Sequence, residues 1–262
     1  MKFRVLFLFI TFMPFFSHSA ITIEGTVLDG KGVPVSKCDV FFNKEKWITK
    51  ESVHVTCNEH GQYTAQIEPG FYNSLYICDE DKYAKTALEF WGWNLNLTES
   101  QVINASFETI EVYSLSTWAS NGGSNSVFAS FRPMLLQNSS ETQKMQLKKD
   151  NFIQKVVNGK KIAILNIAPE LSDELILGFI DNKPIDLIDY FWTYEKLDGC
   201  GHFPKDFDLS SGCYMPMVIA QFRKPKLEQG QHTLKVKLTD QKSGQIGEGI
   251  THFTSNNSGY GF

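Results

Sequence analysis

The sequence carries no excess of positive charge. Twenty-five basic residues stand against 29 acidic ones, for a net charge of −4 and a pI near 5.9, so no chain-wide positive field exists to hold nucleic acid or an anionic membrane. No apolar run is long enough to span a bilayer: the one over 5–16 is too short, and 162–167 and 175–180 stop at strand length. No two of the six histidines stand at the i, i+4 spacing of a helical zinc site. There is no Gly-x-Ser-x-Gly elbow and no glycine-rich phosphate loop opening a helix, which removes the usual basis for a serine hydrolase or a nucleotide site. A 3.6-residue apolar period sustained over three turns is nearly absent, so a helical fold is excluded. Cysteines are few and odd in number, five, so at least one stays unpaired within the chain.

What is present begins with an address. Lys2 and Arg4 precede an apolar run over 5–16, and small residues at Ser17 and Ser19 follow. This is the layout of a secretory signal cleaved after Ser19, and it predicts a secreted or periplasmic protein. No cysteine follows that site, so a lipid anchor is not expected. In an oxidising compartment thiols pair. Cys200 and Cys213 bracket a short glycine-containing segment, where a bridge would contribute roughly 2–3 kcal/mol by restricting the unfolded loop. If 61–67 and 71–79 form a hairpin through Glu68, Pro69 and Gly70, Cys57 and Cys78 meet at its open end and Cys38 is left as a small core residue.

Short alternating runs separated by turn residues read as all-β. Strands are expected at 21–28, 36–43, 52–57, 61–67, 71–79, 85–93 and 107–115, and again at 127–136, 161–167, 174–181, 185–195, 217–223, 233–240 and 246–253. A stretch around Gly122 and Gly123, without a large apolar residue, separates the two groups. The predicted organisation is a signal at 1–19, a β-sandwich at 20–119, a linker at 120–126, a second β-sandwich at 127–254 and a flexible tail at 255–262.

The segment from Ile23 to Val40, with Gly30, Gly32 and Pro34 in its turn, is followed by Cys57, Asn58, Gly61 and Tyr63 and by Pro69, Gly70 and Tyr72. This pattern resembles the carboxypeptidase regulatory-like domain, a transthyretin-like β-sandwich, over roughly the first ninety residues after the signal. The resemblance implies a fold and no peptidase chemistry, because the domain is an accessory one. Cys57 and Asn58 stand where that family usually has a Thr-Asp pair. The run from Gly230 to Gly244 looks like the last hairpin of a bacterial immunoglobulin-like domain.

Candidate chemistry is sparse. Asp79, Glu80 and Asp81, and likewise Asp206 and Asp208, are neighbouring loop carboxylates that read as solvated surface. Asp198, Asp206 and Asp208 lack a calcium-loop pattern, so neither metal nor cofactor is expected. Aromatics are more informative. Trp91 and Trp93 share one face of a strand, with Phe90 on the other, and Glu89 and Asn94 flank them; Tyr190, Trp192 and Tyr194 share a second face. Exposed, these rings would make stacking platforms for sugars, with Glu89 and Asn94 as hydrogen-bond partners. Buried, they would cement cores or a domain interface. The sequence thus predicts a non-enzymatic binding protein for a carbohydrate or a cell-surface protein, or alternatively a scaffold module of an envelope or secreted assembly, with exposure of the tryptophans separating the two.

Overall fold

The computed structural model describes residues 19–119, 125–136 and 147–255. The signal run, the glycine pair of the expected linker and the expected tail beyond Ser255 lie outside the described residues. The chain is all-β and builds two β-sandwiches. The first contains β1 (Ile21–Asp29), β2 (Asp39–Asn43), β3 (Val53–Thr56), β4 (Gln62–Ile67), β5 (Gly70–Cys78), β6 (Phe90–Leu97), β7 (Gln101–Val102) and β8 (Ala105–Phe107). One layer runs β3-β2-β5-β6, and the other sets β1 against β4, β7 and β8. Alternation drives each strand into this arrangement: Tyr63, Ala65 and Ile67 of β4 point inward while Gln62, Thr64 and Gln66 face water. Gly61, with φ +69°, supplies the left-handed turn into β4 while the Val27 backbone crosses close above it.

The second sandwich contains β9 (Ile110–Ala119), β10 (Ser126–Leu135), β11 (Phe152–Val157), β12 (Lys160–Leu165), β13 (Ile176–Ile180), β14 (Lys183–Ile185), β15 (Leu187–Lys196), β16 (Cys213–Arg223), β17 (Gly230–Thr239) and β18 (Ile246–Ser255). Its layers are β14-β13-β17-β18 and β11-β12-β16-β10-β9, with β15 on the remaining edge of β16. The expected first unit ended at residue 119, yet β9 pairs with β10 and sends Ile110, Val112 and Leu115 into the second core. Strand pairing therefore changes partner between Phe107 and Ile110. The two sandwiches are joined through β18, which pairs with β17 on one side and with β6 and β8 of the first unit on the other.

The expected hairpin of β4 with β5 does not form. β4 pairs with β1, whereas β5 pairs with β2 and β6, so the Glu68-Pro69-Gly70 turn carries the chain from one layer to the other. This corrects the cysteine assignment: Cys57 does not meet Cys78 but bonds to Cys38, whose carbonyl accepts the Cys57 backbone N–H at 2.8 Å. Cys200 and Cys213 are bonded to each other, and their loop folds Phe203 and Phe207 onto Phe152 in a small separate core. Cys78 is the free thiol, buried beside Tyr76; burial pushes it up to about 11 against the opposing Tyr76 hydroxyl. We expect no thiol to react with an aromatic disulfide reagent in the native protein and one equivalent to appear on unfolding. A Cys57–Cys78 link in the disulfide map of the native chain would refute this pairing.

Candidate functional site

The two predicted aromatic sets meet different fates. Trp91 and Trp93 are buried, so they form no exposed platform. Their rings stack at 4.7 Å, Tyr113 of β9 closes edge-on over both at 5.5 and 5.1 Å, and Tyr76 lies 4.7 Å from Trp91. Arg132 sits over Tyr113 at 5.0 Å and bonds Glu195 at 2.7 Å. Long-range packing of β9 across β6 is what removes these indoles from water, and they join the two units. Asn94 is exposed with left-handed backbone, φ +54°, and the alternation changes phase there. Phe90, Leu95 and Leu97 thus enter the first core while Trp91 and Trp93 face the junction.

Glu89 is buried at this junction and accepts the Trp91 indole N–H at 3.3 Å. Glu111 of β9 is buried beside it. Burial pushes Glu89 up to about 7 despite bonds from Trp91 and Tyr83. Burial and the neighbouring Glu89 charge also raise Glu111 well above the carboxylate range, against the pull of Arg132. Glu111 was missed by sequence reading, although an acid between Ile110 and Val112 on a strand is itself a signal. Asp79, read from sequence as solvated, is buried and accepts from the Lys82 backbone N–H.

The second set opens onto solvent. Tyr190, Trp192 and Tyr194 of β15 stand opposite the buried Ala220, Val218 and Pro216 of β16 and therefore share one face. β15 is an outer strand, so Trp192 stays 38% exposed. Trp192 and Tyr194 line a cleft of about 440 Å³ together with Asn166, Pro169, Glu170 and Gln241, a volume within the range of small-ligand sites. Tyr190 sits further in and donates its hydroxyl proton to the Leu171 carbonyl at 3.1 Å. Lys155 Nζ donates to the Tyr194 hydroxyl oxygen at 2.9 Å, which fixes that ring.

The polar rim is held by backbone. Gln241 N–H donates to the Glu170 carbonyl at 2.8 Å, and Glu170 N–H donates to Asp240 Oδ1 at 2.8 Å. Burial opposes ionisation of Asp240, but hydrogen bonds from Ser243, Glu170 and Lys242 win and hold its carboxyl below its ordinary value. Asn166, Glu170 and Gln241 had no sequence signal, because the loop after β12 and the β17–β18 turn meet only through the tertiary fold. Among the described residues, no three His, Cys, Asp or Glu side chains come together as a metal site.

No family model matches the chain, and no curated protein matches it. Its fold is similar to solved bacterial structures. One is a candidate carbohydrate binding protein from Bacteroides uniformis, 11% identical, with 90% of this chain and 99% of that one covered and a TM-score of 0.28. Another is a DUF3823 family protein from Parabacteroides merdae, 8% identical, with 90% and 99% covered and a TM-score of 0.27. A third is the major pilin SpaD from Corynebacterium diphtheriae, 9% identical, with 89% of this chain and 66% of that one covered and a TM-score of 0.28.

Proposed function

We propose that this chain is a secreted or periplasmic, non-enzymatic binding protein that takes a carbohydrate in the cleft beside β15. The observation that carries this reading is the open cleft in which Trp192 and Tyr194, at i and i+2 on an outer strand, present rings beside Asn166, Glu170 and Gln241. Aromatic faces cover the apolar face of a sugar ring, and fixed amide and carboxylate groups select among its hydroxyls. Two disulfides suit an oxidising compartment, and no helix among the described residues is long and apolar enough to cross a membrane. Burial of Trp91 and Trp93 favours a second reading, a scaffold module whose partner is a protein. That burial makes these indoles structural and removes one of the two predicted sugar platforms.

The test is intrinsic fluorescence during titration with soluble oligosaccharides of gluco-, xylo-, manno- and chito- type. A saturable shift is expected for one class, with Trp192→Ala weakening binding about tenfold or more through loss of a buried aromatic face worth ~1.5 kcal/mol. No response to any glycan, or an affinity unchanged in Trp192→Ala, would overturn the sugar reading and leave the scaffold.

A further inference from the structure

A second cavity, of about 280 Å³, lies at the junction of the two sandwiches and is separate from the β15 cleft. Trp47, Tyr83, Glu89, Trp91, Glu111 and Tyr113 form its chemical lining. Glu89 and Glu111 are only 5% and 3% exposed, and each keeps one oxygen, Oε2 and Oε1 respectively, without a hydrogen-bond partner. A buried acceptor left unpaired is costly, so two of them on one cavity point to something that supplies donors. Arg132 does not fill that role, because its Nε and Nη2 both go to Glu195 Oε2, at 2.9 and 2.7 Å.

The lining selects the class of ligand. An anion is repelled by the carboxyls. A hard metal cation needs six or more oxygens, whereas this cavity offers two carboxyl groups among aromatic rings. Trp47, Tyr83, Trp91 and Tyr113 line the cavity with aromatic surface suited to an apolar stem, and two of these rings already face cations, Trp47 with Lys46 Nζ at 5.2 Å and Tyr113 with Arg132 at 5.0 Å. The two unpaired oxygens belong to different carboxyls, which suits a compact ammonium with three donors. A planar guanidinium matches the two oxygens of one carboxylate instead.

We propose that the junction cavity binds a primary alkylammonium group, with Glu89 and Glu111 accepting its N–H donors and Trp47, Trp91 and Tyr113 packing along its stem. Such a group is carried by free aliphatic amines and by the lysine side chain of a protein partner. Burial raises the proton affinity of both carboxyls, that of Glu89 to about 7, so an ammonium that pairs with their ionised form competes with protons. The other groups facing the pair are Tyr76, Cys78 and Tyr83 around Glu89, and Tyr113 and Arg132 around Glu111, with Glu195 held on Arg132. The tyrosines and the thiol are all shifted upward by burial and stay neutral between pH 5 and 8.

Calorimetry with 1,5-diaminopentane, with Nα-acetyl-lysine methylamide and with 1-pentanol tests this. The expected result is saturable binding of at least one amine with proton release. The affinity should rise about tenfold or more per pH unit below pH 7, where at least the Glu89 carboxyl must give up its proton. Binding should weaken about tenfold or more in Glu111→Gln and in Trp47→Ala, the second being an exposed rim residue whose loss does not threaten the fold. Preference for the diamine assigns a free amine, and preference for the lysine amide assigns a protein side chain. Pentanol binding as tightly as the amines, or amine binding indifferent to both substitutions, would overturn the proposal.

Discussion

Replacing Glu89 by Gln is expected to stabilise the protein at pH 8 by on the order of 3 kcal/mol and to leave it nearly unchanged at pH 4, the size following from a folded-state value of about 7 against 4.5 at about 1.4 kcal/mol per unit. The sign follows from where the proton is held. Burial makes the native carboxyl the tighter proton binder. Between pH 4.5 and about 7 the folded chain therefore keeps a proton that the unfolded chain has lost, and stability falls as pH rises through that window. Below it both states are protonated, and glutamine, which keeps the carbonyl that accepts the Trp91 N–H, is a close copy of the neutral acid. Glu111→Gln should act in the same direction for the same reason. His232, whose burial is outweighed by the hydrogen bonds its ring donates to the Asp181 carboxylate and the Glu228 carbonyl, is shifted up, and His252 is shifted down by burial. Both are common to wild type and variant and cancel in the difference. Urea midpoints at pH 4, 6 and 8 read the effect, and parallel pH profiles for the two proteins would show that the Glu89 carboxyl is already compensated.

Most of the strands were legible because their partners do not change their side-chain period. β4 reads as a strand from Tyr63, Ala65 and Ile67 alone, whichever neighbour it has. The layer in which a strand lies is a non-local property, and that is where sequence reasoning failed. Nothing near Cys57 indicates that β4 leaves β5 for β1, and the disulfide partner follows from that choice. β11 escaped notice because four of its six residues are exposed and the alternation is lost on an outer strand. Trp91 and Trp93 were found as a pair on one face, but their burial depends on Tyr113, which belongs to a strand that sequence order assigned to the first unit. Trp192 remained a surface residue for the complementary reason: β15 has β16 on one side and no paired strand on the other among the described residues.

Gly247→Ala is expected to cost about 3 kcal/mol or more, near the upper end for overpacked sites, because the added methyl would run into the backbone carbonyl of Ile110 rather than into a movable side chain. Gly247 stands opposite Leu238 on β17 and Phe107 on β8, so β18 cannot move away from β9 without disturbing pairing in both sandwiches. Gly249, two residues on, has the Val112 carbonyl 3.0 Å from the place of its missing Cβ and lies beside Trp91 of β6. Both glycines therefore allow β18 to serve two units while β9 crosses its face, and that crossing carries Tyr113 over the tryptophans. Loss of the close approach should lower the urea midpoint and, as the junction loosens, shift the emission of Trp91 and Trp93 to the red. Gly199→Ala is the control, since open space surrounds that position. It should stay within about 0.5 kcal/mol of wild type. An unchanged midpoint and emission in Gly247→Ala would mean that β18 does not hold the two sandwiches together through this contact.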